Sequence, residues 1–280
     1  MDRTAVITGA SAGLGADYAR ELASRAARRS ARLRLMLVAR RVERLNALRD
    51  ELAAEVPNSE ILVRPCDLTN SEDRQRLVDD ITMAFPQLDL LVNNAGFGSI
   101  GHFSQLELNH ELSMIELNCR APVHLAHGVL PGMIARGSGA IINVASTAAF
   151  QPLTYMTTYG ATKAFLLSHT LGLSRELRRS GVRLLAVCPG PTHTEFHIAA
   201  GLPEKIGLLP AMQSRDVVCA SLDALEAGRS GYMITGALNR VLALTARILG
   251  PLAGATVSER MLRPYAGGKT TNEGERRHAV

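Results

Sequence analysis

The chain has 280 residues, 46% of them hydrophobic and 20% charged, with a formal net charge of +5; that is enough apolar content for one large or two small domains with a sizeable core. Aromatic residues make up only 4% and tryptophan is absent, which argues against stacking platforms for single-stranded nucleic acid. The arginines between Arg20 and Arg49 read as a solvated basic face, because no nucleic-acid recognition motif accompanies them.

A short apolar run predicts a first strand over 4–8. It leads through Thr8-Gly9-Ala10-Ser11-Ala12-Gly13-Leu14-Gly15 into a helix predicted over 14–27. Three glycines at a strand-to-helix junction let the backbone turn tightly and approach a pyrophosphate. The helix start adds free N–H groups and a positive dipole end. Gly9, Ser11, Ala12, Gly13, Leu14 and Gly15 are therefore candidate cofactor-binding residues, although the spacing differs from the commoner Gly-x-Gly-x-x-Gly. The arginine-rich connection over 24–34 is longer than a usual loop and predicts an extension of this helix. A second strand over 33–39 ends in Arg40-Arg41. An acid at that point suits the ribose 2′-hydroxyl of NAD, whereas a guanidinium fork suits a 2′-phosphate, so NADP is preferred over NAD.

Further along, helices are predicted over 42–55 and 71–85, and strands over 60–64 and 88–92. The stretch from Asp67 to Ser71 supplies capping residues for the second of these helices. A long helix over 112–136, a strand over 140–144, a helix over 158–179, a strand over 182–187, a helix over 214–227 and a strand over 231–234 follow. Such alternation predicts an α/β fold: a Rossmann-like, doubly wound parallel sheet of about seven strands with helices on both faces. Strands that read as continuous apolar runs agree with burial on both sides. Beyond the last strand, Leu238, Val241, Leu242, Thr245, Ile248 and Leu249 follow helical spacing, so 236–264 is expected to be a helical extension that packs on the domain or on another subunit, with a lid over a substrate pocket or a membrane-surface contact as alternatives. The polar residues 266–280 read as a disordered tail.

Cys66, Cys119, Cys188 and Cys219 lack Cys-x-x-Cys spacing and read as buried free thiols, with no metal site expected. The first strand begins almost at Met1, and the most apolar stretch, around 238–257, contains Arg240 and Arg247. A cytoplasmic protein without signal peptide or membrane contact is expected.

Tyr159 and Lys163 are one helical turn apart, which puts a phenol and an ammonium on one face. A phenol with a pKa of ~10 is a poor acid–base group at neutral pH, and a nearby cation lowers that value. By itself the pair reads more readily as an exposed tyrosine packed on a lysine stem.

Taken together the motifs resemble the short-chain dehydrogenase/reductase family over about residues 3–235, and within it the NADP-preferring, non-extended branch. They are Gly9-x-x-x-Gly13-x-Gly15, Asp67 after the third strand, Asn93-Asn94-Ala95-Gly96 after the fourth, Asn118 in the long helix, Ser146 after the fifth strand, Tyr159-x-x-x-Lys163, and Pro189-Gly190-Pro191-Thr192-His193-Thr194 after the sixth. The resemblance implies that Tyr159 exchanges a proton with the substrate oxygen and that Lys163 lowers its pKa and holds the nicotinamide ribose. It implies that Ser146 hydrogen-bonds the substrate oxygen, and that Asn118 holds a water in a proton relay. Asp67, Leu68, Asn94, Ala95 and Gly96 would face the adenosine side, and Pro189, Gly190, Thr192 and Thr194 the nicotinamide amide and phosphates.

On this resemblance, 1–265 is expected to be a single dinucleotide-binding oxidoreductase domain that interconverts a carbonyl and a secondary alcohol. It is expected to form a homodimer or homotetramer through the helices over 112–136 and 158–179. The segment 194–214, with Phe196, Ile198, Leu202, Ile206, Leu208, Leu209 and Met212, would close over an apolar or bulky small molecule. Two rival readings are an NAD-dependent alcohol or hydroxysteroid dehydrogenase and a non-catalytic dinucleotide-binding sensor or scaffold.

Overall fold

The computed structural model of the chain describes residues 3–202 and 211–267. The first half runs β1 (Arg3–Thr8), α1 (Gly13–Arg28), β2 (Leu33–Ala39), α2 (Val42–Glu55), β3 (Glu60–Pro65), α3 (Ser71–Ala84) and β4 (Leu90–Asn93). It continues through α4 (Leu108–Ile115), α5 (Ala121–Arg136), β5 (Gly139–Val144), α6 (Thr157–Glu176) and β6 (Val182–Cys188). The short β7 (Thr192–His193), α7 (Phe196–Ala200) and β8 (Met212–Gln213) precede α8 (Ser214–Glu226) and β9 (Gly231–Ile234). Two further helices follow, α9 (Ala237–Leu249) and α10 (Pro251–Ala266).

Seven strands form one parallel sheet in the order β3-β2-β1-β4-β5-β6-β9. The expected Rossmann-like architecture is present. Consecutive apolar residues of a strand project to opposite faces. Val6, Met36, Leu91, Ile141 and Leu184 accordingly enter one core layer with residues of α3 and α5. Their neighbours Ile7, Leu37, Val92, Ile142 and Leu185 enter the other, with α1, α2 and α8. Burial on both faces is what makes these strands continuous apolar runs rather than alternating ones. The strand order reverses between β1 and β4, and in open α/β sheets that reversal leaves a crevice beyond the carboxyl ends of the strands.

Local chemistry sets the helix ends. Asn70 caps α3 by accepting the N–H groups of Glu72 and Asp73. The arginine-rich connection does extend α1, which reaches Arg28 and is tied to α8 where Arg25 donates to Asp223 at 2.6 Å and Arg29 to Glu226 at 2.7 Å.

Three expectations are corrected. The central helix, expected to be continuous over 112–136, starts at Leu108 and is interrupted by a π-helical segment, Glu116–Arg120. Periodicity cannot reveal one extra residue in a turn, because both flanks keep helical spacing. The extension over 236–264 is two helices broken at Gly250, which adopts φ +84°. The tail was expected to start at 266, but Ala266 is the buried last residue of α10. Residues 268–280, and Ile206, Leu208 and Leu209 of the expected pocket-closing segment, lie outside the described residues. No helix among the described residues is long and apolar enough to cross a membrane.

Candidate active site

The crevice at the carboxyl ends of the strands holds a cavity of about 580 Å³. Gly9, Ser11, Ala12, Gly13 and Leu14 line one end, with Arg40 and Arg41 after β2, Asp67 and Leu68 after β3, and Asn94, Ala95 and Gly96 after β4. Ser146, Tyr159, Lys163, Pro189, Gly190, Thr192 and Thr194 line it further along. Of the candidate site residues, only Gly15 and Asn118 do not face this space.

Both exceptions have a packing reason. A Cβ on Gly15 would come within 2.1 Å of the Gly9 carbonyl oxygen and 2.6 Å of Asn94 Nδ2. Gly15 therefore lets the start of α1 press against the end of β1 instead of lining the cleft. Asn118 belongs to the π-helical segment and is 1% exposed. Its Oδ1 accepts from the Phe97 N–H at 3.2 Å, and its Nδ2 donates to Phe97 O and Thr162 Oγ1, both at 3.0 Å. The Asn118 amide thus pins the backbone after β4 to α6. Gly96 lies between Asn118 and Lys163: a Cβ there would sit 2.8 Å from Asn118 Oδ1 and 3.4 Å from Lys163 Nζ.

The glycine-rich turn is shaped for a close ligand. Gly9 and Gly13 adopt φ +67° and +52°, which glycine alone enters at little cost. A Cβ on Gly13 would lie 3.0 Å from Thr194 Cβ, so the turn and the segment after β7 approach across the cleft. Ala12 gives α1 no side-chain cap, which leaves the first-turn N–H groups and the dipole end to an anion. Asn94 braces this turn, as its Nδ2 donates to Thr8 O at 2.9 Å and its backbone N–H to Thr8 Oγ1 at 3.0 Å. The donors and the missing side chains fit the pyrophosphate of a nicotinamide dinucleotide.

At the far end of this cradle, Arg41 Nε donates to Ser11 Oγ at 3.1 Å and Arg41 Nη1 to Glu195 Oε2 at 2.8 Å. Arg40 is exposed beside it. The Asp67 carboxylate is engaged locally: Oδ1 accepts from the Thr69 N–H at 3.0 Å and the Thr69 hydroxyl at 2.8 Å. This shapes the turn after β3. Arg74, 1% exposed, holds the same turn by donating to Leu68 O at 2.7 Å and Thr69 O at 2.9 Å, and pairs with Glu116 of the π segment at 3.2 Å.

Tyr159 and Lys163 stand on α6 inside the cavity wall, 8% and 5% exposed. Lys163 Nζ donates to Val144 O at 2.9 Å and lies 5.7 Å from the centre of the Tyr159 ring. Ser146 caps a short 3-10 helix, Thr147–Phe150, by accepting the Ala148 N–H at 3.1 Å. The expected lowering of the Tyr159 pKa is not what the free chain has. Burial pushes the phenol up to about 12, with only the Ser146 hydroxyl working against it. Burial likewise pushes the Lys163 ammonium down to about 8. Sequence spacing brought the two side chains to one face, but it could not register that both lose their water there.

The other end of the cavity is apolar. Leu153, Met156, Phe196 and Leu202 line it, and the Phe196 ring lies 5.2 Å from that of Tyr159. Opposite them stand Leu242, Ala246 and Leu249 of α9 with Val257, Met261 and Leu262 of α10. Ser258, 2% exposed, accepts the Thr154 N–H at 3.0 Å and so fastens α10 to the loop before α6. From sequence the pocket wall was expected at 194–214, and for 236–264 packing on the domain or on another subunit was preferred over a lid on the pocket; α9 and α10 do line the cavity. The signal existed: Leu242, Ala246 and Leu249 recur at i, i+4 and i+7 on one face.

A parallel doubly wound sheet with this glycine turn and a Tyr-x-x-x-Lys pair inside the crevice defines a dinucleotide-dependent oxidoreductase. The short chain dehydrogenase family model matches residues 3–204, and the chain belongs to that family. It is 34% identical over 198 residues to an uncharacterised oxidoreductase of Staphylococcus saprophyticus, covering 69% of this chain and 80% of that protein. Among solved structures it is similar to a short-chain dehydrogenase from Sphingobium yanoikuyae in complex with NADPH, at 34% identity and TM-score 0.75, over 90% of this chain and 95% of that one. It is also similar to the bulky-bulky ketone specific alcohol dehydrogenase from Comamonas testosteroni, at 30% identity and TM-score 0.73, over 98% of both chains. The protein is a short-chain dehydrogenase/reductase of the kind that acts on CH–OH groups.

Proposed function

We propose that the protein is an NADP(H)-dependent oxidoreductase that interconverts the carbonyl and secondary alcohol of an apolar, bulky small molecule, with Tyr159 as the proton-transfer group. The observation that carries this reading is the Tyr159 phenol at the junction of a polar dinucleotide cradle and an apolar pocket.

Gly9 through Leu14, Asn94 through Gly96, and Pro189 through Thr194 would hold the dinucleotide. A bound nicotinamide supplies or accepts the hydride. Tyr159, held protonated by burial, is in the form that donates to a carbonyl oxygen during reduction. Ser146 would hydrogen-bond the same oxygen and stabilise its developing charge. Lys163, anchored on Val144 O, would carry a positive charge below the phenol and hold the ribose, and Asn118 would hold Lys163's surroundings and a relay water. Arg40 and Arg41 favour a 2′-phosphate over a bare ribose, and several similar structures, the Sphingobium protein among them, are described as NADPH or NADP complexes. The apolar wall of α9 and α10 favours a large hydrophobic carbonyl compound, as does the likeness to the ketone-specific Comamonas enzyme.

In this reading residues 1–265 act as one domain, working in the cytoplasm. It pairs with a second copy through the helical run over 112–136 and α6, whose Leu112, Ile115, Ile134 and Phe165 are exposed. An NADPH-consumption screen over ketones and aldehydes of increasing bulk tests the assignment. Turnover of bulky ketones with NADPH supports it; turnover confined to NAD and small alcohols sinks it. A monomeric mass at micromolar concentration would refute the pairing.

A further inference from the structure

Arg41 is not simply waiting for a phosphate. Its Nη1 donates to Glu195 Oε2 at 2.8 Å, and the other oxygen of that carboxylate accepts from Arg44 Nη1. Glu195 lies between β7 and α7, on the segment that faces the glycine turn across the cleft. Arg41 opens α2, and its Nε is held by Ser11 of the glycine turn at 3.1 Å. Three segments meet at this guanidinium, and the anion it binds is supplied by the chain itself. Glu195, Arg41 and Ser11 all line the cavity.

We infer that Glu195 is a specificity-determining residue: its carboxylate occupies the face of Arg41 that a 2′-phosphate would take, so NADPH must displace it whereas NADH need not. The inference rests on the reading of Arg41 as the 2′-phosphate group. A carboxylate and a phosphate monoester compete for one planar fork, since both accept the same pair of N–H donors. The two anions also repel when both are near the fork. The two arginines hold the Glu195 carboxyl below the usual carboxylate range against the opposing effect of burial, so it is charged at neutral pH. Glu195 therefore restrains the preference for NADPH that Arg40 and Arg41 create.

The test is fluorescence titration of the whole protein with NADPH and with NADH, in the wild type, Glu195→Gln, Glu195→Ala and Arg41→Ala. No turnover is needed. Removing the charge at Glu195 is expected to tighten NADPH by about three- to tenfold and to move NADH less than about twofold. Both variants should show the same direction, because the charge and not the shape is at issue. If the ratio of NADPH to NADH affinity stays the same or falls in both, Glu195 is a brace of the loop and the inference is wrong. Arg41→Ala separates the two levels. If it collapses the ratio while the Glu195 variants leave it unmoved, the NADP reading stands and only the role of Glu195 fails. If it leaves the ratio unchanged, Arg41 does not bind the 2′-phosphate and the inference falls with it, while the NADP reading itself falls only if Arg40→Ala/Arg41→Ala also leaves the ratio unchanged. Thermal unfolding without cofactor checks that each variant is folded.

Discussion

Lys163 Nζ donates to the carbonyl oxygen of Val144 at 2.9 Å and lies over the Tyr159 ring, 5.7 Å from its centre. The ammonium is thus fixed to the end of β5, facing the Tyr159 ring. Two buried groups share one small volume, and each is pushed toward its neutral form.

Replacing Tyr159 with Phe removes only the hydroxyl from a well-packed ring. Activity should fall by about 10²–10⁴-fold, the usual contribution of a positioned acid–base group. The melting temperature should stay within a few degrees of the wild type, since the ring keeps its contacts with Phe196. Steady-state NADPH oxidation and a thermal melt together check this; retained turnover would end the assignment of Tyr159 as the proton donor.

Lys163 gives a signed pH prediction. Burial holds its folded pKa at about 8, below the ordinary lysine value of 10.5. Below pH 8 the ammonium is charged in both states, and the folded state bears the full penalty of burying it. Between about 8 and 10.5 the folded chain binds fewer protons than the unfolded one, so stability rises with pH and the penalty disappears. The gain is at most about 3 kcal/mol, at 1.36 kcal/mol per pKa unit. The buried cysteines, whose pKa values burial raises, are common to both chains. Urea unfolding of wild type and Lys163→Met across this window should therefore show the difference in stability moving in favour of the wild type as pH rises, while the variant is inactive throughout.

Gly96 keeps Asn118 and Lys163 apart. In Gly96→Ala the new methyl would meet Asn118 Oδ1 at 2.8 Å, so the Asn118 amide would have to shift, whereas its 3.4 Å approach to Lys163 Nζ is an ordinary contact. We expect a loss of about 1–3 kcal/mol in stability from overpacking. Activity should drop about 10- to 100-fold, because the displaced Asn118 amide no longer pins the backbone after β4 to α6, the helix that carries Tyr159 and Lys163. Equal loss of activity and of folded protein would instead mean that the residue serves packing alone.

Glu226 joins the ends of β1 and α1 to α8, accepting from Arg29 at 2.7 Å and pairing with Arg3 and Arg25, each at 3.3 Å. The Arg29 hydrogen bonds lead in pulling its carboxyl down to about 2 from 4.5. The folded pKa is depressed, so the stabilisation is complete above about 4.5 and is lost as pH falls through about 2. Partial exposure and screening reduce it to about 1 kcal/mol. Glu226→Gln should therefore be less stable than the wild type by about that amount at pH 7 and equal to it near pH 2, as measured by denaturant titration at several pH values.

Much of this molecule was legible in its sequence, for physical reasons that differ from part to part. Strands such as Leu33–Ala39 announce themselves because a strand buried on both faces admits only apolar residues. Gly9 and Gly13 announce the turn because their left-handed backbone and close approaches exclude side chains. Tyr159 and Lys163 announce a shared face because helical spacing is fixed by the backbone alone. The π segment at Glu116–Arg120 was not legible, since one added residue in a turn leaves both flanking patterns intact.

By itself, then, the sequence determined the sheet, the glycine turn and the family, because each follows from local rules of burial and backbone geometry. Only the tertiary structure decided the electrostatics and the pocket. The raised Tyr159 and lowered Lys163 depend on how much water the surrounding elements exclude. The pairing of Glu195 with Arg41 joins residues 154 positions apart. The α9–α10 wall faces a cavity whose other side is built mostly from much earlier elements. Desolvation and long-range pairing are properties of how segments meet, and no single segment encodes them.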